Sequence, residues 1–220
     1  MIDKRIIKFL SLLEKNNDRA WFEAHRTDYE NAKADFLAFV EKLIPAISVS
    51  DPSISGQLAK NCTFRINRDV RFSKNKSPYK NNMSAYFNRA GKKGNGAGYY
   101  IHIQPGKSFM AAGIWQPEGS ALSKIRQEID YNFSKWQKIT EATKFRKHFP
   151  NGLSGDDALT RPPKGYDESN PAIKFLKMKS FVTTTQFNDA DLCSSSFVKV
   201  VASGFGAVKP FIDFINQSLD

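Results

Sequence analysis

Arg65, Asn67, Asp69 and Arg71 alternate with Phe64, Ile66, Val70 and Phe72. On an extended strand, side chains two apart share a face. This spacing therefore predicts a strand carrying two guanidiniums and a carboxylate along one face, ~20 Å end to end at about 3.3 Å per residue. Guanidiniums grip phosphate or carboxylate groups through paired N–H forks. Asp69 would orient one of them or accept a proton. Arg68 interrupts the apolar series, and an inward Arg68 would require a buried acid. The run continues through Lys74, Lys76 and Lys80. Pro78 favours an extended Ser77, so this stretch reads as a turn from which Lys76 and Lys80 can reach an anion. Tyr79 either stacks on a ligand or plugs the core. The plain structural alternative pairs Asp69 with an arginine and lays the other stems along apolar surface.

The charge around this segment is concentrated. Residues 60–110 hold eleven Lys/Arg against one acid, a net of +10 in a chain whose total is +11. A localised basic field raises the local concentration of anions. The expected partner is therefore an anionic small molecule, with nucleic acid as the competing polyanion.

Other groups with chemical potential are few. His102 falls on a predicted strand, on the same face as Tyr100 and Gln104. Facing the cations it would have a lowered pKa and act as acid or base; otherwise it is a hydrogen-bonded sheet histidine. Arg126, on a later helix, can add a further cation. The stretch Gly91-Lys92-Lys93-Gly94-Asn95-Gly96-Ala97-Gly98 lacks the phosphate-loop spacing and leads into a strand, so it reads as a hairpin loop. His25 reads as structural and His148 as a helix-end residue. Trp115 reads as a core tryptophan or a pocket-mouth residue. Three histidines and two distant cysteines, Cys62 and Cys193, make no metal-ligand spacing, and no cofactor is implied. Ser203-Gly204-Phe205-Gly206 is not a nucleophile elbow.

The elements that must position these residues follow from periodicity. Ile2, Ile6, Phe9 and Leu13 recur at helical spacing. Asn16-Asn17-Asp18 is a break and N-cap. A second helix runs through Trp21, His25, Tyr29, Phe36 and Leu43 to Pro45, with acids on its other faces. Strands are predicted near 64–72, 83–88, 99–104 and 107–115. Ser120 opens a helix broken near Asn132, and Pro171 opens a short one; weaker helical patterns lie at 188–202 and 207–218. Helices, strands and helices make an α+β chain, with a central antiparallel β-meander at about residues 60–115 packed against N-terminal and C-terminal helices. The 220 residues suffice for one core and are expected to form one domain, 1–220. With no signal-peptide or membrane-spanning run, the expected location is cytoplasmic, away from membranes.

Several motifs together carry a family resemblance. They are Asn16-Asn17, Arg19, Trp21-Phe22, Arg65 through Ser73, Lys76-Ser77-Pro78-Tyr79-Lys80, Gly98-Tyr99-Tyr100 and Gln104-Pro105-Gly106. Gly113-Ile114-Trp115, Pro117, Ile125-Arg126 and Pro163-Lys164-Gly165-Tyr166 fit as well. The chain resembles the family catalogued as domain of unknown function 2461 over most of its length. The resemblance implies a full-length, single-domain soluble protein of bacterial and fungal type. It implies no activity and no residue roles.

Three functions compete. The first is a site for a phosphorylated or carboxylated small molecule, built from Arg65, Asn67, Arg68, Arg71, Lys76, Tyr79, Lys80 and Arg126, with Asp69 or His102 moving protons if there is turnover. The second is a nucleic-acid platform interleaving the cations with Phe72, Tyr79, Tyr86, Phe87, Tyr99 and Tyr100. The third is structural: the cations bridge to the acidic second helix or hold an acidic protein partner.

Overall fold

The computed structural model describes residues 1–92, 94–155 and 157–220. In chain order the elements are α1 (Lys4–Lys15), α2 (Arg19–Ala24), α3 (Arg26–Ser48), a 3-10 turn (Pro52–Ile54), α4 (Ala59–Cys62), β1 (Met83–Phe87), β2 (Gly98–Ile103) and β3 (Ser108–Ile114). There follow α5 (Gly119–Tyr131), α6 (Phe133–Thr140), α7 (Thr143–His148), α8 (Ile173–Leu176), β4 (Phe181–Phe187), α9 (Asp189–Leu192), α10 (Phe197–Ala207) and α11 (Lys209–Leu219). The strands form one antiparallel sheet in the order β1-β2-β3-β4, flanked by helices, which is the α+β meander expected.

Two boundaries of the meander differ from expectation. The segment 64–72 is not a strand: Asn67 makes an isolated antiparallel bridge with Tyr79, and Thr63, just before the segment, makes one with Ala85. Its apolar residues do not share a buried face, since Ile66 is buried while Phe72 is 95% exposed. Phe64 N and Arg68 N donate to backbone carbonyls, of Ser84 and Pro78, but at the far end Arg71 N is taken by a side chain, Asp69 Oδ1, at 3.2 Å, and just beyond the segment Ser77 N is taken by Asn75 Oδ1 at 2.9 Å. Such local bonds compete with a ladder. The fourth strand lies instead at Phe181–Phe187, where Phe181 and Thr183 are buried.

The chain groups into two compact units. The first comprises residues 1–87, 100–110 and 186–202. In it, Ile6, Phe9, Leu10 and Leu13 bury one face of α1. The break at 16–18 forms as predicted, and Asp18 caps α2 by accepting from Trp21 N at 2.9 Å. The predicted second helix is two helices parted at His25, whose ring stacks on Trp21 at 4.1 Å. Pro45 does not end α3 but sits inside it. An internal proline costs about 3 kcal/mol; here the ring is exposed while Ile44 and Ile47 are buried beside it.

The second unit comprises residues 88–99, 111–185 and 203–220. Trp136 is fully buried, with the rings of Phe175, Phe181, Phe211 and Phe214 within 5.9 Å of its own. Asn132 separates α5 from α6 as expected. The residue before α5 is Glu118 rather than Ser120, and it makes no side-chain cap bond. Gly113 has φ 130°, and a Cβ there would overlap the carbonyl oxygen of Phe181. Glycine is thus required where β3 meets β4.

Candidate functional site

The basic segment of the first unit is a loop anchored at both ends. Lys80 N donates to Ile66 O at 2.8 Å and Arg68 N to Pro78 O at 2.9 Å. These two bonds close a short hairpin whose tip, residues 69–77, projects as an irregular loop. Lys76 Nζ donates to Val70 O at 3.1 Å and ties the tip to itself.

Asn17, in the break between α1 and α2, holds this hairpin in place. Its Nδ2 donates to Tyr79 O at 3.0 Å, and its Oδ1 accepts from Tyr79 N at 3.1 Å. The ring of Tyr79 is 8% exposed and stacks on Phe22 at 3.9 Å. The tyrosine is therefore a core plug whose backbone is clamped by an asparagine amide.

Between hairpin and helix lies a polar cleft of about 470 Å³. Among the described residues its cations are Arg68 and Lys80, and its carboxylate is Glu14, from the last turn of α1. Asn17, Asn75, Ser77, Tyr79, Asn81 and Asn82 complete the lining. Arg68 is half-buried; Nη1 donates to Ser77 O and Nη2 to Ser73 Oγ, both at 3.3 Å. It points to carbonyl and hydroxyl oxygens rather than to a buried acid. Glu14 Oε1 accepts from Asn81 Nδ2 at 2.9 Å.

Of the residues expected to bind a ligand, Arg68, Tyr79 and Lys80 line this cleft; Arg65, Asn67, Arg71 and Lys76 do not. The shared strand face predicted for Arg65, Asn67, Asp69 and Arg71 does not exist, because the strand does not. Asp69 and Arg71 form an exposed ion pair, Oδ2 to Nη2 at 2.7 Å. The Arg71 side chain and then its backbone N–H hold the Asp69 carboxyl below its usual range. Arg126 belongs to the second unit, where Nη2 donates to Met178 O at 3.0 Å. Burial lowers its pKa.

Glu14, Asn75, Asn81 and Asn82 carried no signal in spacing or periodicity. Asn17 appeared in the sequence as part of a helix break and of a family motif, with no role attached. Its contact with Tyr79 spans 62 positions, which local pattern does not reach.

His102 lies outside the cleft lining. Its Nδ1 is 3.1 Å from Tyr100 Oη, its Nε2 is 2.9 Å from Gln104 Oε1, and its ring stacks on Phe109 at 4.7 Å. Its pKa is lowered, as expected, but by burial rather than by cations, and the Gln104 contact opposes the shift. In the second unit His148 Nε2 is 3.2 Å from Ser203 Oγ. Among the described residues no ion pair or carboxylate hydrogen bond orients that imidazole, so the third member of a nucleophile triad is missing.

The aromatic platform is largely absent. Phe87 and Tyr99 are core residues at 0% and 1% exposure, and Tyr79 is packed on Phe22. Phe72 stands alone in solvent, with the Arg71 guanidinium 5.8 Å from its ring. Three acids of α2 and α3 find nearer partners than the basic loop: Glu23 pairs with Arg26, Glu30 with Lys33, and Asp35 with Arg5. Trp115 is exposed rather than packed. In the glycine-rich loop, Asn88 Oδ1 accepts from Ala90 N at 2.8 Å and Asn88 Nδ2 donates to Ala97 O at 3.1 Å; Lys93 lies outside the described residues. Among the described residues, no three His, Cys, Asp or Glu side chains are grouped to hold a metal ion, and no helix is long and apolar enough to cross a membrane.

The family described as "Conserved hypothetical protein (DUF2461)" matches residues 5–214, nearly the whole chain. No curated protein and no solved structure matches it.

Proposed function

The chain belongs to that family, and we propose that its cleft between the Asn17 break and the 66–80 hairpin binds an anionic small molecule bearing a phosphate or carboxylate group. The observation that supports this is the convergence of Arg68 and Lys80 on one polar cleft of about 470 Å³, where Glu14 is the one carboxylate among the described lining residues. A half-buried guanidinium has a smaller hydration shell to lose, and it recognises planar anions by paired bonds. The Nη contacts of Arg68 are long, at 3.3 Å, so a ligand oxygen competes with them on favourable terms.

The role is binding, with no reaction assigned. Asp69 is committed to Arg71, and both ring nitrogens of His102 have neighbours. Neither residue expected to transfer protons lines the cleft.

The test is a thermal-shift titration of the full chain at low salt with inorganic phosphate and with citrate. Binding at 100 times Kd stabilises by about 2.7 kcal/mol, a readily measured rise in Tm. The shift should vanish in Lys80→Ala and Arg68→Gln. Absence of any shift in the wild type with either anion refutes the reading.

A second reading, polyanion binding at the loop tip, rests on Phe72, which is fully solvated beside Arg71. An exposed ring is a surface on which a nucleobase stacks. It would appear as oligonucleotide affinity falling linearly with log salt.

A further inference from the structure

We infer that the cleft selects a phosphate carried on a polyhydroxylated chain, a sugar or polyol phosphate, over a bare anion or a polycarboxylate. This rests on the anion-site reading above and deepens it.

The lining beyond the two cations carries the inference. Glu14 is a carboxylate with Oε1 accepting from Asn81 and Oε2 still available as an acceptor. It repels a second negative group and calls for donors. The asparagines supply both polarities. Asn75 spends its Oδ1 on Ser77 N, which leaves its Nδ2 to donate. Asn81 spends its Nδ2 on Glu14, which leaves its Oδ1 to accept. The Asn82 side chain has no hydrogen-bond partner among the described residues, so its amide offers one of each. Asn17 is different: one donor and one acceptor of its amide are used on Tyr79, which fixes the amide in the wall.

A hydroxyl donates once and accepts twice. A row of hydroxyls is therefore the chemistry that satisfies carboxylate, amide oxygen and amide nitrogen together. A carboxylate group only accepts and would give Glu14 and the Asn81 oxygen no donor. Arg68 and Lys80 are the cations that a phosphate head would meet, and the remaining polar lining suits a neutral tail. The volume of about 470 Å³ accommodates a head and a short hydroxylated chain together.

Calorimetry on the full chain at low salt tests this with inorganic phosphate, citrate, glucose, glucose 6-phosphate, ribose 5-phosphate and glycerol 3-phosphate. At least one phosphorylated polyol should bind about tenfold or more tighter than inorganic phosphate, a gap of ~1.4 kcal/mol, with glucose weaker than either. Glu14→Gln removes the repulsion, so citrate and phosphate should gain affinity while the preference for the phosphorylated polyol shrinks. Asn82→Ala should weaken the polyol phosphates and leave inorganic phosphate unchanged. A Glu14 or Asn82 with only a structural role would move all probes together. If phosphate and citrate bind as tightly as every polyol phosphate, the selectivity is overturned and the anion site stands. If no probe binds, both are overturned.

Discussion

Asn17 and Tyr79 are joined by two hydrogen bonds at 3.0 and 3.1 Å, an asparagine side chain pairing with a backbone as a neighbouring strand would. The pair ties the break between α1 and α2 to the hairpin that carries Arg68 and Lys80. The cleft wall is thus built from two segments that the chain separates widely.

Asn17→Ala should lose both bonds and leave the Tyr79 N–H and C=O unpaired in a part-buried setting. The expected cost is about 1–3 kcal/mol in urea denaturation, with the phosphate-induced Tm shift lost as well. Asn17→Asp keeps the acceptor and should recover part of the stability. A wild-type denaturation midpoint in Asn17→Ala would show that the clamp is idle.

Phe72→Ser should leave the denaturation midpoint unchanged, since the ring is 95% exposed and loses no buried contact. The cleft does not include it, so phosphate binding should also be unchanged. Oligonucleotide affinity is the quantity at stake: a drop on substitution supports the polyanion reading, and no change removes it.

His102 should give a pH dependence of known sign. Burial lowers its folded pKa from the ordinary 6.5. The unfolded chain then binds the proton more readily, so the stability held above pH 6.5 should be lost as pH falls toward the folded pKa. His148 shifts in the same direction, from burial and Lys147, so the two must be separated. His102→Gln should flatten part of the profile between about pH 6.5 and 5, and an NMR titration should place the His102 midpoint below 6.5. A midpoint at or above that value would contradict the burial argument.

Gly113→Ala should destabilise strongly, by about 3 kcal/mol or more, because the new methyl meets the Phe181 carbonyl at a φ of 130°. Far-UV circular dichroism and the yield of folded protein read this directly. Gly106→Ala is the control: it shares a positive φ of 67° but has nothing near its Cβ, so it should cost about 1 kcal/mol.

Helices α1, α5 and α6 were legible because each buries one face whose period is written in consecutive residues, and the strands at 83–87, 98–103 and 108–114 because they are short apolar runs bounded by turn residues. So was the break at 16–18, where Asp18 caps α2. The concentration of charge between residues 60 and 110 was equally plain in composition. The same rule misled at 64–72, where the alternation is real but no sheet receives it: Phe72 points to solvent, and Asp69 takes the Arg71 N–H. It also passed over Phe181–Phe187, a β-branched run made a strand by its pairing with β3.

Local order in this protein is thus a property of its sequence, because burial of one face repeats at short range. The cleft is a property of its tertiary structure. Glu14 and Asn17 come from one segment and Arg68 and Asn82 from another, and only long-range hydrogen bonds and the Phe22–Tyr79 stack bring them to one wall. No period in the chain encodes such a meeting, since each of those side chains would serve equally well in solvent.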